Sequence, residues 1–266
     1  MSLLKVSDLE AGYNQKEVLR EINFSVNEGD FLGIIGPNSS GKSTLLRCLS
    51  RVLPPFKGEV LLNGEDIYKL KAKEVAKSIA MVPQDTVVSF AFSVEEIVLM
   101  GRTPYLSHFG QERKRDFLIA RASLRQTNSL HLSSRLINEL SAGERQKVII
   151  AKALSQEPEV LFLDEPTSHL DINHQIEVFD LLKKLNKEEG LTVVAVSHDL
   201  NLAALYCEEL ILLKEGGVFA SGRVEKVLTK ENIRKVYNCE VEMSPHQRAG
   251  VPQVVLLPRK IGRSGK

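Results

Sequence analysis

The nine residues Gly36 to Thr44, GPNSSGKST, constrain this chain more than any other stretch. They follow the apolar run FLGIIG and open the helix-like segment KSTLLRCLSRVL, which halts before Pro54 and Pro55. The spacing is G-x-x-x-x-G-K-[ST], and a loop of that kind between a buried strand and a helix start is a phosphate site. Its backbone N–H groups form a concave nest, and the helix N-terminus adds roughly half a positive charge. Gly36, Pro37, Asn38, Ser39, Ser40, Gly41, Lys42, Ser43 and Thr44 are therefore expected to hold a nucleotide's phosphates. Lys42 supplies a full charge to the β and γ oxygens, and the Ser43 hydroxyl is placed for magnesium. Ser39 stands at a position expected to need a positive φ, at a cost of order 1 kcal/mol for a serine.

The rest of the chain supplies a sheet for that loop. Ile22, Phe24 and Val26 alternate, the turn NEGD follows, and FLGIIG comes next, which reads as paired strands with the second more deeply buried. The runs AMVPQ, VLFLDEP, TVVAVSHD and ELILLKEGG recur between helical segments such as HQIEVFDLLKKLNKEEG. Short apolar strands alternating with amphipathic helices predict a largely parallel, doubly wound sheet, with its ligand beyond the carboxyl ends of the strands. Between about Thr86 and Pro158 the period is helical throughout, so a helical subdomain is inserted into the α/β core. The expected division is a nucleotide-binding core over 1–85 and 159–222, a helical subdomain over 86–158, and a C-terminal extension over 223–266 that carries no recognisable chemistry.

VLFLDEP supplies acids for the loop. Asp164 appears where a buried strand ends, which suits a carboxylate that holds magnesium. Glu165 follows, and Pro166 steers it away from right-handed helical geometry, so that it leaves the pleat and can deprotonate an attacking water. Gln84 ends AMVPQ and His198 ends TVVAVSH, so the same sheet edge brings both near the loop, Gln84 to magnesium or water and His198 to the γ-phosphate. Tyr13 offers a π face to a base.

Composition excludes other classes. With 35 basic and 34 acidic residues the net charge is +1, and no basic stripe recruits nucleic acid. Cys48, Cys207 and Cys239 have neither paired nor metal-ligand spacing and read as buried or incidental thiols in a reducing compartment. MSLLKVSDLE alternates too early for a signal peptide, and no run reaches the 18 apolar residues of a membrane span. A cytosolic chain that reaches a membrane only through a partner is expected.

Taken in order, GPNSSGKST, VPQ, LSAGERQ, VLFLDEP, SHLD and VSHD resemble the nucleotide-binding subunit of ABC transporters, from about Leu4 to Gly222. The resemblance implies a P-loop NTPase (RecA-like) α/β core with an N-terminal antiparallel β subdomain and the inserted helical subdomain. It implies ATP and Mg2+ as cofactors, with Tyr13 stacked on adenine and Ser43, Gln84 and Asp164 around the metal. Glu165 would be the catalytic base, His198 the switch histidine and Asp171 the dimer-loop acid. LSAGERQ would be the signature, with Ser141, Ala142, Gly143 and Glu144 touching ATP held by the opposite subunit of a homodimer. Its residues suit that role, because Ser141 and Glu144 form the capping box S-x-x-E and would offer a helix N-terminus, a hydroxyl and the Gly143 backbone to an anion.

The segments VLMGRTPYLSHFG, EPTSHLDINHQIEVFDLL and SHDLNLAALYCEELILLKEGGVFASG are similar to those of importers for ferric siderophores, haem and cobalamin. That likeness implies transmembrane permease subunits as partners on the cytoplasmic face of the cell membrane, and indirectly an extracytoplasmic substrate-binding protein. Tyr105, Leu106, His108 and Phe109 form either a docking patch for the permease or a core of the helical subdomain. The alternative function is a soluble ABC-type ATPase acting on a cytosolic assembly or nucleic acid.

Overall fold

The computed structural model describes residues 2–84, 90–107 and 110–258. Two long strands, β1 (Ser2–Tyr13) and β2 (Lys16–Asn27), pair antiparallel. Asn14 and Gln15 join them, both with positive φ (49° and 61°), the geometry that matches the twist of a tight hairpin. β2 alternates buried and exposed residues, whereas β3 (Phe31–Ile35) is buried throughout. The two are not paired with each other, contrary to the reading of the sequence. A strand with one wet face joins the outer sheet, and one that is apolar on both faces enters the centre of the molecule.

The phosphate loop follows β3 and leads into α1 (Lys42–Leu49). This helix stops before the two prolines are reached, because Arg51 turns left-handed (φ 61°) and the N–H groups of Val52 and Leu53 both donate to the Arg47 carbonyl. β4 (Lys57–Leu62) and β5 (Glu65–Asp66) complete the outer sheet in the order β2-β1-β4-β5. After α2 (Ala72–Ser78) and β6 (Ile79–Val82) come the helices α3 (Val94–Leu99), α4 (Lys114–Gln126) and α5 (Ala142–Leu154). The α/β pattern resumes with β7 (Val160–Asp164), α6 (Ile172–Glu189), β8 (Thr192–Val196), α7 (Leu200–Tyr206), β9 (Glu209–Lys214) and β10 (Gly217–Arg223). The chain closes with α8 (Val224–Val227), α9 (Lys230–Tyr237) and the hairpin β11 (Val241–Pro245) and β12 (Pro252–Leu256).

Among the described residues the central sheet has the order β10-β9-β3-β8-β7-β6, parallel except for β10. Its period of two divides the core. Phe31, Leu161, Leu163, Val193, Ala195, Leu210 and Leu212 face the layer that contains the helical segment, α6 and α7. Leu32, Ile34, Val160, Phe162, Val194, Val196 and Ile211 face α1 and the outer sheet. Burying one such large side chain contributes about 1.5–3 kcal/mol, so both faces of the sheet are committed to packing. Cys48 and Cys207 lie within this core, where burial pushes both thiols up to about 12. None of the described helices is long and apolar enough to cross a membrane.

The helical segment is tied together by one buried cation. Arg102 is 2% exposed; its Nε donates to Asp116 Oδ1 at 3.1 Å, and its Nη1 donates to the Ser155 carbonyl and to Glu157. Its guanidinium lies 3.8 Å from the centre of the Tyr105 ring, and the Tyr105 hydroxyl donates to the Gln156 carbonyl. Tyr105 is thus anchored within the segment while remaining partly exposed, and Leu106 is half-buried; His108 and Phe109 lie outside the described residues. Replacing Arg102 with Ala strands the Asp116 carboxylate in the interior. Urea unfolding of R102A is expected to show a loss of about 3–5 kcal/mol.

Candidate functional site

A cleft of about 630 Å3 opens at the carboxyl edge of the parallel strands. Asn38, Ser39, Gly41, Lys42, Ser43 and Thr44 line it from the phosphate loop, with Gln84, Glu165 and His198 beyond β6, β7 and β8. Sequence reasoning did not foresee its other wall, where Lys16, Val18 and Gly216 come from the outer hairpin and the β9–β10 turn. No motif marks those residues.

The loop's shape follows from its backbone. Gly41 has φ 102°, a conformation that favours glycine, and a Cβ there would have to displace the tip of Leu19, whose Cδ2 lies 2.6 Å from that position. Ser39 takes φ 64°, as expected for a serine in the position where the loop turns left-handed. Lys42 is buried, and its Nζ donates to the carbonyls of Gly36 and Pro37, each at 2.9 Å. Burial lowers its pKa, and the carboxylates of Glu165 and Asp164 oppose that shift. The Ser40 hydroxyl is buried and has no hydrogen-bond partner among the described residues.

Ser43 and Asp164 meet at the head of α1, where the Ser43 hydroxyl donates to Asp164 Oδ1 at 3.1 Å. Burial raises the Asp164 pKa, the Ser43 hydrogen bond opposes this, and the neighbouring Glu165 adds to it. A hydroxyl and a carboxylate beside a phosphate nest are hard oxygen donors, so they fit magnesium, which takes one or two protein oxygens and completes its shell with water and phosphate. Gln84 does not join this pair. Its Nε2 donates instead to Glu165 Oε2 at 2.9 Å, and His198 Nε2 pairs with the other carboxylate oxygen.

Glu165 itself adopts φ 51°, with its N–H donating to the Val196 carbonyl and its carbonyl accepting from Ser168. The sequence pointed to a residue steered out of right-handed helical geometry by Pro166, and the chain leaves the pleat through the left-handed region. Such a conformation costs of order 1–3 kcal/mol and persists because β8 and the following turn hold both sides of the peptide.

Tyr13 lies outside the cleft lining, 39% exposed at the end of β1, with its hydroxyl accepting from Arg47 at 3.0 Å. Ser141, Ala142, Gly143, Glu144 and Asp171 do not line the cleft either. The expected capping box is formed: the Ser141 N–H and hydroxyl both donate to Glu144 Oε2 at 2.9 Å, and the Glu144 N–H donates back to the Ser141 hydroxyl at 3.3 Å. These bonds hold the Glu144 carboxyl below its ordinary range.

Gly143, whose backbone the sequence reading offers to an anion, has a close neighbour within the chain. It is buried, and a Cβ there would lie 2.2 Å from His174 Cδ2. His174 in turn donates its N–H to Asp171 Oδ1 at 2.9 Å and places Nδ1 2.8 Å from the same oxygen. One imidazole therefore spaces the start of α5 from the start of α6. The Asp-x-x-His spacing was visible in the sequence; that the ring would meet Gly143 was not.

A parallel sheet with a phosphate loop after its central strand, and with carboxylate, amide and imidazole at the neighbouring strand ends, defines a P-loop nucleotide-binding protein. Residues 19–168 match the family described as ABC transporter, and the chain belongs to that family. It is 40% identical over 258 residues to the uncharacterized ABC transporter ATP-binding protein YvrA of Bacillus subtilis, covering 97% of this chain and 58% of that protein. The chain thus spans less than two thirds of that relative's length. It is also 40% identical over 256 residues to the ferric enterobactin transport ATP-binding protein FepC of Escherichia coli, covering 96% of this chain and 94% of that one. A solved dimeric structure of MJ0796, a bacterial ABC transporter cassette, is similar with TM-score 0.73 and 30% identity, over 83% of this chain and 98% of that chain.

Two substitutions check this geometry. Gly143→Ala is expected to lower stability by about 1–3 kcal/mol through overpacking, and adding His174→Ala is expected to recover most of the loss; thermal melts of the single and double variants measure both. Asp164→Asn removes a carboxylate that burial makes unfavourable. Because the folded pKa lies above 3.8, the contribution of the protonated carboxyl is present at low pH and lost as pH rises through the folded value. The nucleotide-free variant should therefore melt above the wild type at pH 7, with the gap narrowing as pH falls toward 3.8.

Proposed function

We propose that this chain is the ATP-hydrolysing subunit of an ABC importer, working as a homodimer that drives permease subunits from the cytoplasmic face of a membrane. The observation that carries the reading is the convergence on one cleft of Lys42, the Ser43–Asp164 pair and the Gln84–Glu165–His198 set.

The loop N–H groups and Lys42 bind the phosphates, and Lys42 exchanges its two carbonyl partners for phosphate oxygens. Ser43 and Asp164 would hold magnesium, which would supply charge neutralisation on the phosphate oxygens. Glu165 orients the attacking water and takes its proton, from a carboxylate fixed at the strand end by Gln84 and His198. His198 is 44% exposed on its side chain, so it can turn from Glu165 to the γ-phosphate; doing so frees the carboxylate oxygen that accepts the proton. Tyr13, fixed through its hydroxyl and open on its ring, stacks on the base.

The homodimer is supported by the position of the signature. Ser141 and Glu144 cap a helix whose start is outside this chain's own cleft, which suits an anion brought by a second subunit. Head-to-tail closure over two ATP molecules and reopening after hydrolysis would then move the permease. A cargo of the iron-siderophore, haem and cobalamin class is supported by the importer-like segments and by the likeness to FepC. An extracytoplasmic substrate-binding protein belongs to the same assembly.

Glu165→Gln keeps the side chain's size and one acceptor oxygen and removes the base. It is expected to lower kcat for ATP at least a hundredfold and to give an ATP-dependent dimer on gel filtration. A monomeric variant hydrolysing at the wild-type rate would exclude Glu165 as the base.

A further inference from the structure

The chain after Arg223 carries no motif, yet it is built into the same core as the site. Val224, Val227, Leu228, Ile233, Val236, Val241 and Val254 are buried in one cluster with residues of β3, β7, β8 and α7. This segment reaches the cleft's framework at two points. Tyr237, at the end of α9, is half-buried, and the Gly36 backbone N–H faces its hydroxyl. Asn201, in the first turn of α7, makes a two-way contact with β12: its Nδ2 donates to the Val254 carbonyl at 3.2 Å, and the Val254 N–H donates to its Oδ1 at 2.8 Å.

The second contact is not a helix cap. Asp199 already caps α7, accepting from the N–H groups of Asn201 and Leu202. Asparagine is a mediocre helix former, and the side-chain hydrogen bonds of this one go to β12. There the amide satisfies the strand's outer peptide groups as a neighbouring strand would, beside β11, which pairs Met243 with Val254. His198 stands three residues upstream, inside a turn closed by Ser197, whose hydroxyl donates to the Asp199 carbonyl and accepts from its N–H. Displacement of α7 must therefore carry the His198 backbone with it.

We propose that the C-terminal hairpin sets the position of His198, and that Asn201 is the positioning residue, acting through its paired hydrogen bonds to Val254. The inference rests on the reading of His198 as part of the hydrolytic set. Asn201 does not line the cleft, so losing the contact misplaces His198 and leaves the contacts made by the phosphate loop and Lys42 in place.

The test uses the full chain. Asn201→Ala is expected to lower kcat for ATP about tenfold, the scale of a small misplacement at a reacting centre, with KM and nucleotide affinity unchanged. Val254→Pro deletes the N–H that Asn201 accepts and spares the pairing with β11, because that N–H is turned to Asn201. It should give the same kcat loss, and the double variant should be no slower than either single one. Hydrogen exchange at Ser197 to Leu202 should quicken in both variants while exchange in β3 and β7 stays at the wild-type rate, which separates a local displacement from poor folding. Wild-type kcat in well-folded N201A, or additive losses in the double variant, overturns the proposal. Wild-type turnover in His198→Ala overturns the hydrolytic reading of His198 and the proposal with it, so the two failures are told apart.

Discussion

Strands buried on both faces can present polar groups only at their ends, and parallel strands present the same end on the same edge. That constraint organises everything else in this protein. β3, β8, β7 and β6 lie side by side and parallel, so the phosphate loop, His198, Asp164 with Glu165, and Gln84 all emerge along one rim. The apolar runs that bury the sheet thereby assemble the site, although its members come from four separate stretches of sequence.

The rim also concentrates electrostatic conflict. Lys42, Asp164 and Glu165 are all buried, and a low dielectric penalises each charge unless the others are near. Lys42 rests on two backbone carbonyls, Asp164 on a serine hydroxyl, and Glu165 on an amide and an imidazole. Each partner is one that phosphate, magnesium or water could replace. The left-handed backbone at Ser39 and Glu165 adds local strain at the same rim, as expected where binding groups are held in place by a rigid scaffold.

Away from the rim, small contacts between distant segments set the geometry. The His174 ring fills the space above Gly143 and binds Asp171, so the starts of α5 and α6 are spaced by one side chain. Arg102 gathers the helical segment through Asp116, Ser155, Glu157 and Tyr105. Asn201 joins α7 to the C-terminal hairpin. Each sets a polar or aromatic group against residues far away in the chain.

The fold class and most of the cleft were legible in the sequence because their signals are local. The loop spacing, the apolar strands ending in acid, amide or imidazole, and the Ser141–Glu144 cap each lie within a dozen residues. The pairing of β2 was misread because a turn shows that a strand ends and not which sheet the next one enters. The positive φ of Glu165 was missed because proline disfavours one conformation without choosing among the others. The sequence by itself determined that a phosphate nest sits on a parallel sheet with acids at the end of another of its strands. Only the tertiary structure decided that Gly143 is covered by His174, that Gln84 binds Glu165, and that the unmarked C-terminal segment meets the framework of the site. Periodicity and capping are short-range properties of a chain, whereas which satisfied group meets which is settled when the layers close.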